Sequence, residues 1–318
     1  MARFAPATNI SSTRAGADVS VESVLTLGAT LGEGPVWFAN ALWFVDIKGK
    51  RIHRFDPATG AAQHWDAPDQ VGWVLPSAGG GWIAGLKTGL HCFDPANSGF
   101  ALIHNPEPTL PGNRLNDAAT DRQGRLWFGS MDDGEQNATG RLYRCTQGVC
   151  ADSGLTPVVI TNGPALRPDG TILYHTDTLG RTIWRVPVRD DGSLGAAERH
   201  VEIEDGAGYP DGSVIDAEGC LWVALFGGWG VRRYDPAGRL IQYVRFPCAN
   251  VTKIAFGGAS LRTAYATTAT KGLDPAARRA QPQAGDVFAF DPGVEGLPVT
   301  PANIGVEEDG DGGGARSG

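Results

Sequence analysis

Apolar residues in this chain come in short runs of four to eight that stop at Gly, Pro, Asp or Asn. Long amphipathic stretches of helical period are absent, so the pattern predicts short strands joined by tight turns. One strand recurs with an aromatic residue near its start: Leu42-Trp43-Phe44-Val45-Asp46, Gly81-Trp82-Ile83-Ala84-Gly85, Leu126-Trp127-Phe128-Gly129-Ser130, Leu173-Tyr174-His175-Thr176-Asp177, Leu221-Trp222-Val223-Ala224-Leu225 and Ala264-Tyr265-Ala266-Thr267-Thr268. The anchors Trp43, Trp82, Trp127, Tyr174, Trp222 and Tyr265 are spaced by 39, 45, 47, 48 and 43 residues. Each anchor strand is followed by a Gly-containing turn or loop and a third strand, and four of the six third strands end in Asp-Pro. Proline has no amide hydrogen to give a ladder, so the strand stops there. A more variable fourth strand follows in most units, as in Ala62-Gln63-His64-Trp65.

Six such units predict an all-β fold, a six-bladed β-propeller with four-stranded blades. A blade cannot bury both of its apolar faces alone, so the blades stack in a ring. The alternating stretch from Ser20 to Leu27 is expected to close the ring as the outer strand of the last blade. The propeller is assigned to residues 19–304. The polar stretch 1–18 and the Gly/Asp/Glu-rich stretch 305–318 are expected to be disordered tails. Residues 271–284, between strands of the sixth unit, are expected to form a loop on one face.

Composition adds limits. Forty-five Gly, 21 Pro and nine Trp suit a turn-rich β protein. The charge, 27 − 35 = −8, comes without a basic cluster and argues against nucleic acid or an anionic membrane as partner. No apolar run approaches the ~18 residues of a membrane-crossing helix. The first twenty residues lack the apolar segment of a secretory signal. The five cysteines show no metal-binding spacing, and a reduced, cytoplasmic setting is the simplest account of them. Cys145 and Cys150 are the pair that a hairpin could join.

In a propeller the first strand of each blade lines the axis, so chemistry is sought just before it. Glu33, Asn116, Asn162 and Asp211 lie 10, 11, 12 and 11 residues ahead of their anchors. The second unit has Gly72 at this place, and the sixth has Thr252 and Lys253 nearby. Asn and Asp are ordinary turn residues, and any one of the four alone reads as a turn former. Four at one register of a repeat read as a site. Two carboxylates and two amides make an oxygen-only set, suited to Ca²⁺, Mg²⁺ or Mn²⁺ more than to Zn²⁺ or Fe²⁺. Asp121, Asp169 and Asp216, at the other recurring turn, read as turn residues. No G-x-S-x-G motif is present, and His175 on an anchor strand reads as a packed core residue rather than a base.

Leu31-Gly32-Glu33-Gly34-Pro35, Asn113-Arg114-Leu115-Asn116-Asp117, Asn162-Gly163-Pro164, Pro210-Asp211-Gly212 and Phe256-Gly257-Gly258 together resemble the family of senescence marker protein, gluconolactonase and luciferin-regenerating enzyme. Leu42 to Lys48, Tyr174 to Leu179 and Asn250 to Lys253 are most similar to the bacterial sugar lactonases of that family, such as xylonolactonase. The resemblance implies one divalent metal ion held by Glu33, Asn162 and Asp211, substrate contacts from Arg114 and Asn116, and Asp211 as base. It also implies an acidic contact after the third anchor strand, where Asp132, Asp133 and Glu135 compete and Glu135 is the candidate. Trp73, Phe226 and Trp229 are candidate walls for a sugar face. The expected activity is hydrolysis of a sugar aldonolactone, a pentonolactone or gluconolactone, to the aldonic acid. A metal-dependent esterase or organophosphate hydrolase and a non-enzymatic metal-binding propeller are the alternatives.

Overall fold

The computed structural model describes residues 19–305. The two tails expected to be disordered lie outside these residues, apart from Gly305. Six four-stranded antiparallel sheets stand in a ring. Their first strands are Gly32–Phe38, Val71–Pro76, Asn113–Thr120, Thr161–Leu166, Tyr209–Ile215 and Val251–Gly257. These six neighbour one another around the axis. The ring closes as the alternation predicts: Val21–Leu25 pairs antiparallel with Val287–Phe290 and completes blade 6.

The anchors carry the packing between blades. Trp127, Tyr174 and Trp222 are fully buried. In blades 3 and 5 the turn carboxylates tie the anchors down. Asp121 accepts from Trp127 Nε1 (3.0 Å) and from the backbone N–H groups of Gln123 and Arg125. Asp216 accepts from Trp222 Nε1 (2.8 Å) and from the N–H groups of Glu218 and Cys220. A buried carboxylate surrounded by donors is a satisfied one, so these aspartates hold turns, as expected.

Three features were not legible. Residues 271–284 contain a short helix, Pro275–Ala280, where a loop was expected. Asp274 caps it, accepting from the N–H groups of Ala276 and Ala277, and a proline opens it. Cys145 and Cys150 are joined as a disulfide across the two outer strands of blade 3, where a fully reduced chain was the simpler expectation. Finally, the stretch after blade 6 crosses the far end of the ring. Ala217 donates to Glu295 O, Thr120 Oγ1 to Thr300 O, Ala302 to Pro76 O and Gly148 to Ile304 O. This strap closes an axial cavity of about 310 Å³, lined by Val36, Ala118, Leu166, Val214, Leu297 and Val299.

Candidate active site

All six first strands shift register near their start. The irregularities fall between Glu33 and Val36, Val71 and Trp73, Leu115 and Ala118, Asn162 and Ala165, Pro210 and Ser213, and Val251 and Lys253. A bulge re-aims a side chain that would otherwise alternate with its strand. The six bulges therefore set Glu33, Gly72, Asn116, Asn162, Asp211 and Thr252 at one level of the axis, at the mouth opposite the strap. Gly72 has a steric reason to be glycine. A Cβ there would lie 2.5 Å from the carbonyl oxygen of Leu115, in the bulge of blade 3.

The polar groups connect across blades. Arg114 Nη1 donates to Asn116 Oδ1 (2.6 Å). Asn116 Nδ2 donates to Thr161 O (2.6 Å) and to Asn162 Oδ1 (3.2 Å). Asn162 Nδ2 donates to Thr178 Oγ1 (2.9 Å), which fixes the amide with its oxygen on the axial side. Arg114 Nε donates to Asp133 (3.1 Å). Among the described residues Arg114 Nη2 has no hydrogen-bond partner, so it is a donor left for a ligand.

Glu33, Asp117 and Asp211 are all buried; Asp117 acts electrostatically on Glu33, and both act on Asp211. Burial first, then Asp117, pushes the Glu33 carboxyl up to about 8. Burial first, then Glu33 and Asp117, raises Asp211 well above the ordinary carboxylate range. Burial raises Asp117 as well, opposed by Lys253, whose Nζ donates to Asp117 Oδ1 at 2.5 Å. Among the described residues, Glu33 accepts only from its neighbour's N–H, that of Gly34 (2.7 Å). No donor reaches the Asp211 carboxylate among the described residues. Two buried carboxylates without a cation of their own, beside an oriented amide oxygen, fit a hard divalent ion.

Of the expected residues, Glu33, Arg114, Asn116, Asn162 and Asp211 come together. Asn116 has its amide committed to neighbours and holds Arg114 and Asn162 in place. Glu135 sits farther out, paired with Lys271. Asp133 is the acid that meets Arg114, and it also accepts from Lys48 (2.6 Å). Trp73 is 1% exposed, packed between blades, and lines the axial cavity below the mouth. Trp229, 37% exposed with φ of 60°, remains at the mouth, and Phe226 is half-buried. His175 is buried, as expected of a core residue. Asp117 and Lys253 carried no role in the sequence reading. Their places in Asn116-Asp117 and Thr252-Lys253, at the axial register, were the available signal.

Fold and site define a class: six-bladed β-propellers with a buried oxygen-donor centre at one mouth of the axis. The chain belongs to the SMP-30/Gluconolactonase/LRE-like family, whose characteristic region matches residues 31–270. It is similar to the 6-deoxy-6-sulfogluconolactonase of Pseudomonas putida, 32% identical over 281 residues, which cover 87% of this chain and 96% of that one. It is similar to the L-arabinolactonase of Azospirillum brasilense, 34% identical over 265 residues, covering 81% and 87%. Among solved structures, a calcium-binding protein, regucalcin, from Agrobacterium tumefaciens superposes with a TM-score of 0.85 at 29% identity, covering 90% and 98%.

Proposed function

We propose that the protein hydrolyses the ring ester of a sugar aldonolactone, with a divalent ion held by Glu33, Asn162 and Asp211. The observation that carries this reading is the pair of buried carboxylates, Glu33 and Asp211, left without a cationic hydrogen-bond partner beside the fixed amide of Asn162. Kinship to proteins named as sulfogluconolactonase and arabinolactonase supports cyclic esters as the substrate class. Bound there, the ion supplies Lewis-acid polarisation of the carbonyl.

The chain's own residues do the rest. Arg114 Nη2 donates to a ring or hydroxyl oxygen and, with Asn116 fixing the guanidinium, sets the angle of attack. Asp211 takes a proton from the attacking water as its oxygen bonds to the carbonyl carbon. The ring C–O bond then breaks, and the proton on Asp211 passes to the departing ring oxygen. The products are one open aldonic acid and a restored carboxylate. Burial of the bulged strands keeps other water away from Asp211.

The test is ring opening of a panel of pentono- and hexonolactones by purified protein loaded with Ca²⁺, Mg²⁺, Mn²⁺ or Zn²⁺. Asp211→Asn should lower kcat by roughly 10²- to 10⁴-fold, the usual worth of a general base. A chelator should remove activity and added ion restore it. A larger kcat/KM for a phosphotriester than for every lactone would overturn the substrate class.

A further inference from the structure

The mouth of this site is lopsided in charge. The turn that ends the second strand carries Lys48 in blade 1, Lys87 in blade 2, Asp133 and Glu135 in blade 3, and Lys271 in blade 6. Asp133 alone faces three cations: Lys48 Nζ at 2.6 Å, Arg114 Nε at 3.1 Å and Lys87 Nζ at 3.4 Å. Lys271 is matched by Glu135, and Lys50 by Asp69. Three cations therefore share the one carboxylate of Asp133, and Lys87 also acts on Asp69. On the axis, Glu33, Asp117 and Asp211 face Lys253, and Lys271 and Arg114 act on Asp211 from the rim.

Lys48 and Lys87 are each 28% exposed in their side chains, within reach of a ligand. Crowding is costly for them. The Lys48 ammonium is held below the ordinary lysine range, by burial first and then by Arg114 and Lys271 among the causes. A cavity of about 220 Å³ opens beside the mouth, lined by Lys87, Asn105, Asn113 and Arg114 and also by the acids Asp69 and Glu107. The same turns in blades 4 and 5 carry Leu179 and Trp229, both exposed. A neutral lactone needs hydrogen-bond donors and acceptors but gives no return for surplus positive charge.

We propose that Lys48 and Lys87 form a subsite for an anionic group carried by the substrate, so that the favoured lactone bears a sulfonate, phosphate or carboxylate away from its ring ester. The proposal rests on the lactonase reading of the axial residues and names the substrate class of that site. The anion joins Asp133 beside the two lysines, Arg114 Nη2 is left to the ring, and the ring lies over the axis with its C–H face on the apolar side of the mouth. Lys48 and Lys87 are specificity residues in this arrangement, with no part in proton transfer.

The test compares kcat/KM for glucono-δ-lactone with that for its 6-phospho, 6-sulfo and 6-carboxylate counterparts on the metal-loaded enzyme. At low ionic strength the preferred anionic lactone should exceed the neutral one by about tenfold or more, and the ratio should shrink as salt is added. Which of the three arms leads identifies the group. The ratio should fall several-fold in Lys48→Gln and in Lys87→Gln. A ratio at or below one at low salt would overturn the proposal and leave the lactonase reading intact. So would a ratio unmoved in a folded Lys48→Gln/Lys87→Gln double variant. If no lactone is opened, the lactonase reading fails instead, and calorimetric titration still decides the subsite. Hexose 6-phosphate should then bind more tightly than free hexose, and equal binding would overturn the subsite.

Discussion

The pair Asp117 and Lys253 shows what a single residue can hide. Both lie under the carboxylates of the mouth, and their side chains meet at 2.5 Å with almost no exposure. Lys253→Met leaves Asp117 charged and unpaired beside Glu33 and Asp211. Breaking one half of a buried pair costs about 3–5 kcal/mol. Asp117→Asn in the same chain removes the stranded charge and should recover most of that loss. Denaturant unfolding of the two single variants and the double variant checks this, and a coupling below about 1 kcal/mol would mean the two act independently. The repeat showed that Lys253 stands at the axial register of blade 6. It did not show that Lys253 faces blade 3, because a repeat equates positions without saying which side chains reach across the axis.

His175 makes a second prediction of the same kind. Its ring is buried with Nδ1 unpartnered, and burial pushes its pKa down to about 4. The unfolded chain then binds the proton first, near the ordinary value of about 6.5. Stability is whole above that value and drains away as pH falls through the window from 6.5 towards 4. The loss from this one ring approaches about 3 kcal/mol at the acid end. His53, also pushed to about 4 by burial, adds to the same limb. Melting temperature against pH should fall on the acid side, and His175→Leu should flatten that fall. An unchanged acid limb in a folded His175→Leu variant would remove His175 from the account.

At the scale of the strand, the four offsets of ten to twelve residues pointed at Glu33, Asn116, Asn162 and Asp211 because all four occupy bulges at one level. The Gly-, Pro- and Asn-rich leaders looked like turns for the same reason: bulged strands and turns use the same residues. The acid after the third anchor strand was not legible. Asp133 and Glu135 are two residues apart in an irregular turn, and only the turn's path sends Asp133 to Arg114 and Glu135 to Lys271. The bulges also predict a remote effect. In Gly72→Ala the new Cβ meets a backbone oxygen of Leu115, which cannot rotate away. Overpacking of this kind costs about 1–3 kcal/mol. The displaced segment carries Arg114 and Asn116, so kcat/KM for the lactone should drop although residue 72 bears no functional group. A variant with lowered melting temperature but unchanged kcat/KM would show that blade 3 absorbs the shift elsewhere.

For the whole molecule, the ring was readable because six anchors repeat and because the alternation of Val21 to Leu25 supplies the strand that blade 6 lacks. The strap was not, since residues 291–305 carry Pro and Gly without a period and hold on through backbone groups and a few scattered buried side chains, Val294, Ala302 and Ile304. They join blades 5 and 6 to blades 2 and 3 across the far end: Gly296 donates to Leu261 O, Ala302 to Pro76 O, and Asn303 to Gly124 O. A closed ring has no free blade edge, so these bonds act as a brace across blades that already pack side by side. Ending the chain after Asp291 should therefore leave the propeller folded by circular dichroism but lower its melting temperature, and should open the axial cavity to solvent. The bulges and the rim lysines stand at the other mouth, so kcat/KM for the lactone should change far less than stability does. The opposite result, a native melting temperature with lost activity, would mean that the strap sets the spacing of the inner strands and so reaches Glu33 and Asp211 through the length of the channel.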